Sequence, residues 1–407
     1  MSGRARLAAA GLALALLAAL WPAPASAHAV ALGVLPAEES LQANAPRTVS
    51  VTFSEQVTPI GRGLDVLSPS GRHVAGEVTV QGGFMAATLD AAEPGTYRAA
   101  WRVVGDDSHP ASGDWLFSVG HRSLPPPAGA LGVQSDGAIG LSLQSAGMWL
   151  HLLGLALLGG SPLLWLVARR DREPAPASLR RLLGTGAALL GASVPLSFLG
   201  ATASLGGLLD SGTGFDVATS SLGRVLALRT GGALAAWQIL GALRASGGRG
   251  LRAGPALAAA LCAVDATASH TATGLPRGLA LALISVHEAA MVVWLGALAA
   301  VLVLARAGED GAALRRRGAP VAALAVATLL VSGGLLAVEH LGGVVDLVRS
   351  AYGAVLLIKL GIVGLALALG WAARRRIDRA RLWRAEGVAV VAITAAAAAL
   401  VSLAPVR

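Results

Sequence analysis

Hydrophobic and polar positions follow two different rhythms along this chain. Between Ala29 and His121 apolar residues recur at every second position in short runs, "TVSVTFS", "GLDVLSPSGRHVAGEVTV", "FMAATLD", "GTYRAAWRVVG" and "DWLFSV", separated by turn residues. Period two belongs to strands with one buried face, so these runs predict a small all-β sandwich or barrel. "SPSG" at 68–71 predicts a hairpin turn, and Tyr97, Trp101, Trp115 and Phe117 are expected core aromatics. Residues 122–138, beginning "RSLPPPAGALGVQSDG", carry no period and read as a linker.

Beyond the linker the rhythm changes to eight long apolar runs, at 139–168, 182–206, 222–243, 254–273, 278–305, 318–340, 350–373 and 387–404. Each is close to the ~20 residues a membrane-spanning helix needs. An all-α bundle of eight transmembrane helices over 139–407 is therefore expected. The connections at 169–181, 244–252, 306–317 and 374–386 hold five, three, four and six arginines, whereas "DSGTGFDVATSS", "TATGLP" and "LGGVVDLVRS" hold at most one. The positive-inside rule then places the arginine loops in the cytoplasm, and the β-domain and the C-terminal "LAPVR" outside.

The first 27 residues read as a secretory signal: Arg4 and Arg6, an apolar run from Leu7 to Leu20, and an Ala25-Ser26-Ala27 cleavage pattern. This agrees independently with an extracytoplasmic domain at 28–121. Composition sharpens the picture, since 55% hydrophobic residues exceed what an ordinary soluble domain carries. The net charge of +9 arises from arginines clustered between apolar runs, so it marks topology and gives no ground for a nucleic-acid partner. The lone Cys262 excludes an internal disulfide and reads as packing.

Cleavage after Ala27 would make His28 the first residue, bringing its free α-amine and ring Nδ1 onto one ion. That bidentate nitrogen chelate suits Cu(II), which favours nitrogen donors in a tetragonal arrangement. Asp107 and His109, in "WRVVGDDSHPASGDWLFSV", are two apart and on a strand would share one face, completing a set of three nitrogens and one oxygen. In the apolar part, His151, His270, His287 and His340 fall within or at the ends of four different spans, each toward the outer side. Ionisable groups in a bilayer are costly and usually face a bundle interior or pathway. Glu288 and Glu339 adjoin two of these histidines, but neighbours on a helix diverge by about 100°, so each pairing needs another helix. Lys359, the only lysine, lies too deep to snorkel easily and suggests a compact ammonium paired with a carboxylate or a helix end. No nucleophile–base pattern and no phosphate-binding loop appears, so an enzyme is not expected.

"HAVALGVLPAEESLQANAPRTVSVTFSEQVTP" with "YRAAWRVVGDDSHPASGDWLFSV" resembles the periplasmic copper-binding CopC family. The resemblance implies a cupredoxin-like or Ig-like β-sandwich holding Cu(II) at His28, Asp107 and His109, with Ser108 where that family usually has glycine. Met85 is the β-domain's only methionine, too few for a thioether Cu(I) site. "SVHEAAMVVWLGALA", "ASHTATG" and "SAYGAVLLIKL" resemble the CopD copper-resistance family, and the fusion resembles single-chain copper importers. The expectation is a multi-pass inner-membrane protein that captures copper outside and carries it inward as Cu(I) or Cu(II), with His151, His270, His287, His340 and Lys359 on the path. A periplasmic or cytosolic copper chaperone is the expected protein partner. Two other readings use the same residues: a membrane-anchored copper buffer or sensor, and a haem-binding copper reductase.

Overall fold

The computed structural model describes residues 29–90, 93–106, 108–127, 131, 137–169, 175–208, 210–246, 250–268, 275–340, 345–349 and part of 353–364. At 339 and 340 it describes the backbone alone. The signal segment, His28, Asp107, His270, Lys359 and the eighth expected span lie outside the described residues, as does the side chain of His340.

Eight strands form two four-stranded sheets. They are β1 (Ala31–Leu35), β2 (Leu41–Gln42), β3 (Thr48–Phe53), β4 (Val57–Leu67), β5 (Ala75–Gln81), β6 (Phe84–Leu89), β7 (Gly95–Gly105) and β8 (Pro110–Val119). One sheet has the order β1-β3-β6-β5 and the other β2-β8-β7-β4, antiparallel except for the short β2–β8 pair. Every run with a two-residue period forms a strand, because alternation gives each one a face to bury. Tyr97, Ala99, Trp101 and Val103 of β7 meet Val49, Val51 and Phe53 of β3 in one core between the sheets. Tyr97 stacks on Phe117 at 5.2 Å, and Trp101 meets Phe53 edge-on at 4.9 Å. The polar tips are satisfied, Tyr97 Oη donating to the Glu93 carbonyl at 2.6 Å and Trp115 Nε1 to that of Pro36 at 3.0 Å. The expected turn at 68–71 joins β4 to β5, with Gly71 at a φ of 81° that favours glycine.

The helices are α1 (Gly137–Leu155), a π-turn (Ala156–Gly160), α2 (Ser161–Arg169), α3 (Ala177–Ser204), α4 (Ser211–Thr219), α5 (Ser221–Ala245), α6 (Ala253–Thr267), α7 (Arg277–Arg306), α8 (Gly311–His340) and α9 (Asp346–Arg349). Among the described residues five stretches are long and apolar enough to cross a membrane: Ile139–Ala168, Ala177–Ser204, Ser221–Ala245, Arg277–Arg306 and Ala313–Val338. The fourth expected span is a shorter apolar helix, α6, of 15 residues.

The chain divides into two compact units whose limits cut through the helices. One comprises the β-strands with residues up to 144 and with 196–227, and the other holds 145–195 and the described residues from 228 onward. In the first, Ile60 and Val104 of the sheet pack with Ala201, Leu205 and Val217, and the Gly61 N–H donates to Asp216 at 2.7 Å. Asp210 caps α4 by accepting from the Thr213 N–H at 2.7 Å, which holds its carboxyl below the usual carboxylate range. The cap is in place at neutral pH and is lost as pH falls through that lowered value.

Candidate functional site

A group of ionisable side chains is assembled in the second unit from four helices. His151 on α1, Asp265 on α6 and Glu288 on α7 each bring a ligand-type atom within 4.8 Å of the others, and Arg229 on α5 joins them. Arg229 Nε donates to Asp265 Oδ1 at 2.8 Å, and His151 Nε2 lies 2.7 Å from Asp265 Oδ2. His151 and Asp265 are almost wholly buried, at 1% and 3% exposure.

The chemistry of the pair fixes the imidazole. A carboxylate only accepts, so the proton sits on His151 Nε2 and the lone pair on Nδ1. That Nδ1 is buried and has no hydrogen-bond partner among the described residues, and the same is true of Glu288 Oε1. A histidine that donates one ring N–H to a carboxylate and leaves its other nitrogen bare is the arrangement of metal-binding imidazoles. Two donor atoms, one nitrogen and one oxygen, are thus available in an apolar surround of Leu152, Leu261 and Met291.

Two glycines permit this gathering. A Cβ on Gly296 would stand 2.0 Å from the Ala156 carbonyl oxygen and 2.6 Å from Gly160 Cα, and one on Gly160 would stand 2.1 Å from the Val292 oxygen. The π-turn and α7 therefore cross backbone to backbone, with Ser161 Oγ donating to the Gly296 carbonyl at 3.1 Å. Gly296→Ala must push the helices apart at a cost of at least about 1–3 kcal/mol. The expected result is a lower melting temperature of the purified chain in detergent, together with impaired copper accumulation as Glu288 draws away from His151.

Of the four histidines expected along one entrance, His151 and His287 are the two whose side chains lie among the described residues, and they have different partners. His151 enters the buried cluster, whereas His287 turns to α8, where its Nδ1 lies 2.9 Å from Ser332 Oγ. Glu288 accordingly joins the cluster of His151 and Asp265, with Asp265 as its hydrogen-bond partner, and not its sequence neighbour His287. Asp265 and Arg229 were not singled out in the sequence. Each is an ionisable residue inside an apolar run, "ALCAVDAT" and "VLALRTGG", and that was the available signal.

In the β-domain His109 lies in the connection between β7 and β8, not on a strand, so the shared-face argument for Asp107 and His109 does not hold. The last paired residues are Val104 and Pro110, and the chain between them must reverse. Ser108 does this at a left-handed φ of 65°, its N–H donating to the Gly105 carbonyl at 2.9 Å, while the Gly105 N–H donates to the His109 carbonyl at 2.9 Å. Glycine is the favoured residue at that φ, so serine here carries backbone strain. His109 is half-buried.

Residues 32–120 match the sequence profile of the CopC domain, and residues 312–404 match that of copper resistance protein D. The chain carries both domains in one polypeptide. No curated protein matches it. Among solved structures it is similar to CopC from Methylosinus trichosporium OB3b, with 23% identity over 24% of this chain and 99% of that one and a TM-score of 0.22. It is also similar to PcoC, a methionine-rich copper resistance protein from Escherichia coli, with 29% identity over 23% of this chain and 99% of that one and a TM-score of 0.20. A chain with CopC and CopD domains and several apolar helices is, at this level, a multi-pass membrane protein of copper resistance or transport.

Proposed function

We propose that the chain captures Cu(II) outside the cytoplasmic membrane at the α-amine and imidazole of His28, with Asp107 and His109, and passes copper inward through the helical unit. The observation that carries the reading is the buried cluster around His151. An anchor would not need a histidine held by Asp265 and Arg229, its Nδ1 bare, in a buried cluster that also contains a bare Glu288 oxygen. Burying such a group costs several kcal/mol in an apolar bundle and argues for a cation that visits it. His287 and His340 are further stations on the same path, as His270 and Lys359 are in the sequence-based scheme. The contacts of the first unit support the topology, because Ile60 and Gly61 of the β-domain meet Val217 and Asp216 in the arginine-free connection between the second and third spans. Ser221, at the start of α5, lies 3.5 Å from the Gly105 carbonyl in the turn that bears His109, so a captured ion is held near the start of a span.

Copper content of cells under copper limitation tests the proposal. Cells with the chain should accumulate copper above cells without it. A His151→Ala, His287→Ala double variant, inserted at normal levels, should fall to the level of cells lacking the chain while Cu(II) binding by the β-domain is unchanged. Wild-type accumulation in that variant would favour the anchored buffer instead.

A further inference from the structure

Each sulfur-bearing residue of the helical region stands three residues from a member of the His151–Asp265–Glu288 cluster. The chain has four methionines and one cysteine; Met1 opens it and Met85 is sealed in the β-core, which leaves Met148, Cys262 and Met291 for everything after the linker. Met148 precedes His151 by three residues on α1, Cys262 precedes Asp265 by three on α6, and Met291 follows Glu288 by three on α7. Three residues are close to one turn, so each sulfur-bearing side chain shares a face with its cluster partner, about 4.5 Å along the axis.

The direction of each step matters. Helices α6 and α7 are consecutive and joined by a short connection, so they run antiparallel. With Asp265 opposite Glu288, a step back on α6 and a step forward on α7 move toward the same end. Cys262 therefore comes opposite Met291, in the layer on the side of the arginine-rich connections at 244–252 and 306–317. Both side chains are buried, at 1% and 7% exposure, in one hydrophobic cluster. Met148 lies on the opposite side, its Sδ accepting from Arg229 Nη2 at 3.8 Å.

Packing alone explains one buried methionine or one buried cysteine. It does not explain why all three sulfurs adjoin a cluster that, among the described residues, presents an unpartnered imidazole nitrogen and an unpartnered carboxylate oxygen. Thiolate and thioether donors select Cu(I), whereas imidazole and carboxylate accept harder ions. We infer that Cys262 and Met291 form a two-sulfur Cu(I) site one helical turn inward of His151 and Glu288. The step at this layer is a ligand exchange of Cu(I), nitrogen and oxygen donors giving way to sulfur with no change of oxidation state; copper captured as Cu(II) takes one electron from an external thiol reductant before it reaches the helices. The inference deepens the transport reading and rests on it for the direction of movement, but not for the existence of the site.

The test is copper K-edge X-ray absorption on the full chain, purified in detergent and loaded anaerobically with Cu(I), together with competition against a chromogenic Cu(I) chelator. Sulfur scattering is expected in the wild type and in Met148→Leu, and is expected to vanish in Cys262→Ala, Met291→Leu, with Cu(I) affinity lower by at least about tenfold. Cys262→Ser, which keeps nearly the same volume, should halve the sulfur scattering and guards against loss by misfolding. Wild-type protein without sulfur scattering overturns the site, as does a double variant that retains it. Sulfur scattering that the double variant loses, in a protein that gives cells no added copper, upholds the site and removes the transport reading instead.

Discussion

Asp265→Ala is expected to destabilise the helical unit by about 3–5 kcal/mol, the usual consequence of removing one partner from a buried ion pair. The substitution leaves the Arg229 guanidinium, 9% exposed, without its acceptor at 2.8 Å, and deprives His151 of the carboxylate that fixes its tautomer. Asp265→Asn keeps the shape and one acceptor, so it should lose less stability, yet copper accumulation should still fall because the imidazole is no longer held by a charge. A second comparison separates pair from charge. Arg229→Met with Asp265→Leu removes both charges and should recover part of the stability lost in Asp265→Ala alone. Melting temperatures of the purified chain in detergent, read beside cellular copper content, decide the matter. Wild-type melting in Asp265→Ala would mean that the pair contributes nothing to the bundle.

One extra residue in front of His28 is expected to weaken Cu(II) binding by more than about 100-fold, beyond the 10–100-fold that loss of a supporting group costs. The extension turns the α-amine into an amide, whose nitrogen has no basic lone pair to close the chelate ring with the His28 imidazole. The unextended site has a characteristic pH dependence. The amine must shed a proton from a group whose free pKa is about 7.7–8.0, so affinity should fall about tenfold per pH unit below that value. Titration of the full chain with Cu(II) at several pH values checks both statements. Equal affinity with and without the extra residue would remove His28 from the site.

The β-domain was readable from sequence because alternation is local: the residues that make β7 a strand, from Gly95 to Gly105, are the residues that show the period. The long spans were readable for the same reason, since an apolar run declares itself without reference to a partner. The ends of elements were less so. The two-residue spacing of Asp107 and His109 suggests one strand, whereas the reversal at Ser108 depends on where Val104 and Pro110 stop pairing. The buried cluster was half visible. His151 and Glu288 stand out as ionisable residues in apolar runs, but Asp265 is 114 residues from His151 and 36 from Arg229. No periodicity within one helix encodes which face of another it will meet. Cys262 was read as packing because the layer it shares with Met291 exists only once α6 and α7 lie side by side.

The π-turn at Ala156–Gly160 sits between His151 and the glycine crossing. A π-turn holds one residue more than the α-helical turn it replaces, and one residue is worth about 100° of rotation about the axis. The turn is thus a phase shifter. It lets a single span point a histidine at Asp265 in its outer half and a bare backbone at Gly296 in its inner half, faces that an unbroken helix would set at a different angle. Removing one residue from "ALLGG" would shorten the span by only about 1.5 Å, yet it would rotate the segment before it by about 100° relative to the segment after it, carrying the imidazole away from its carboxylate and Leu152 and Leu155 out of the core with it.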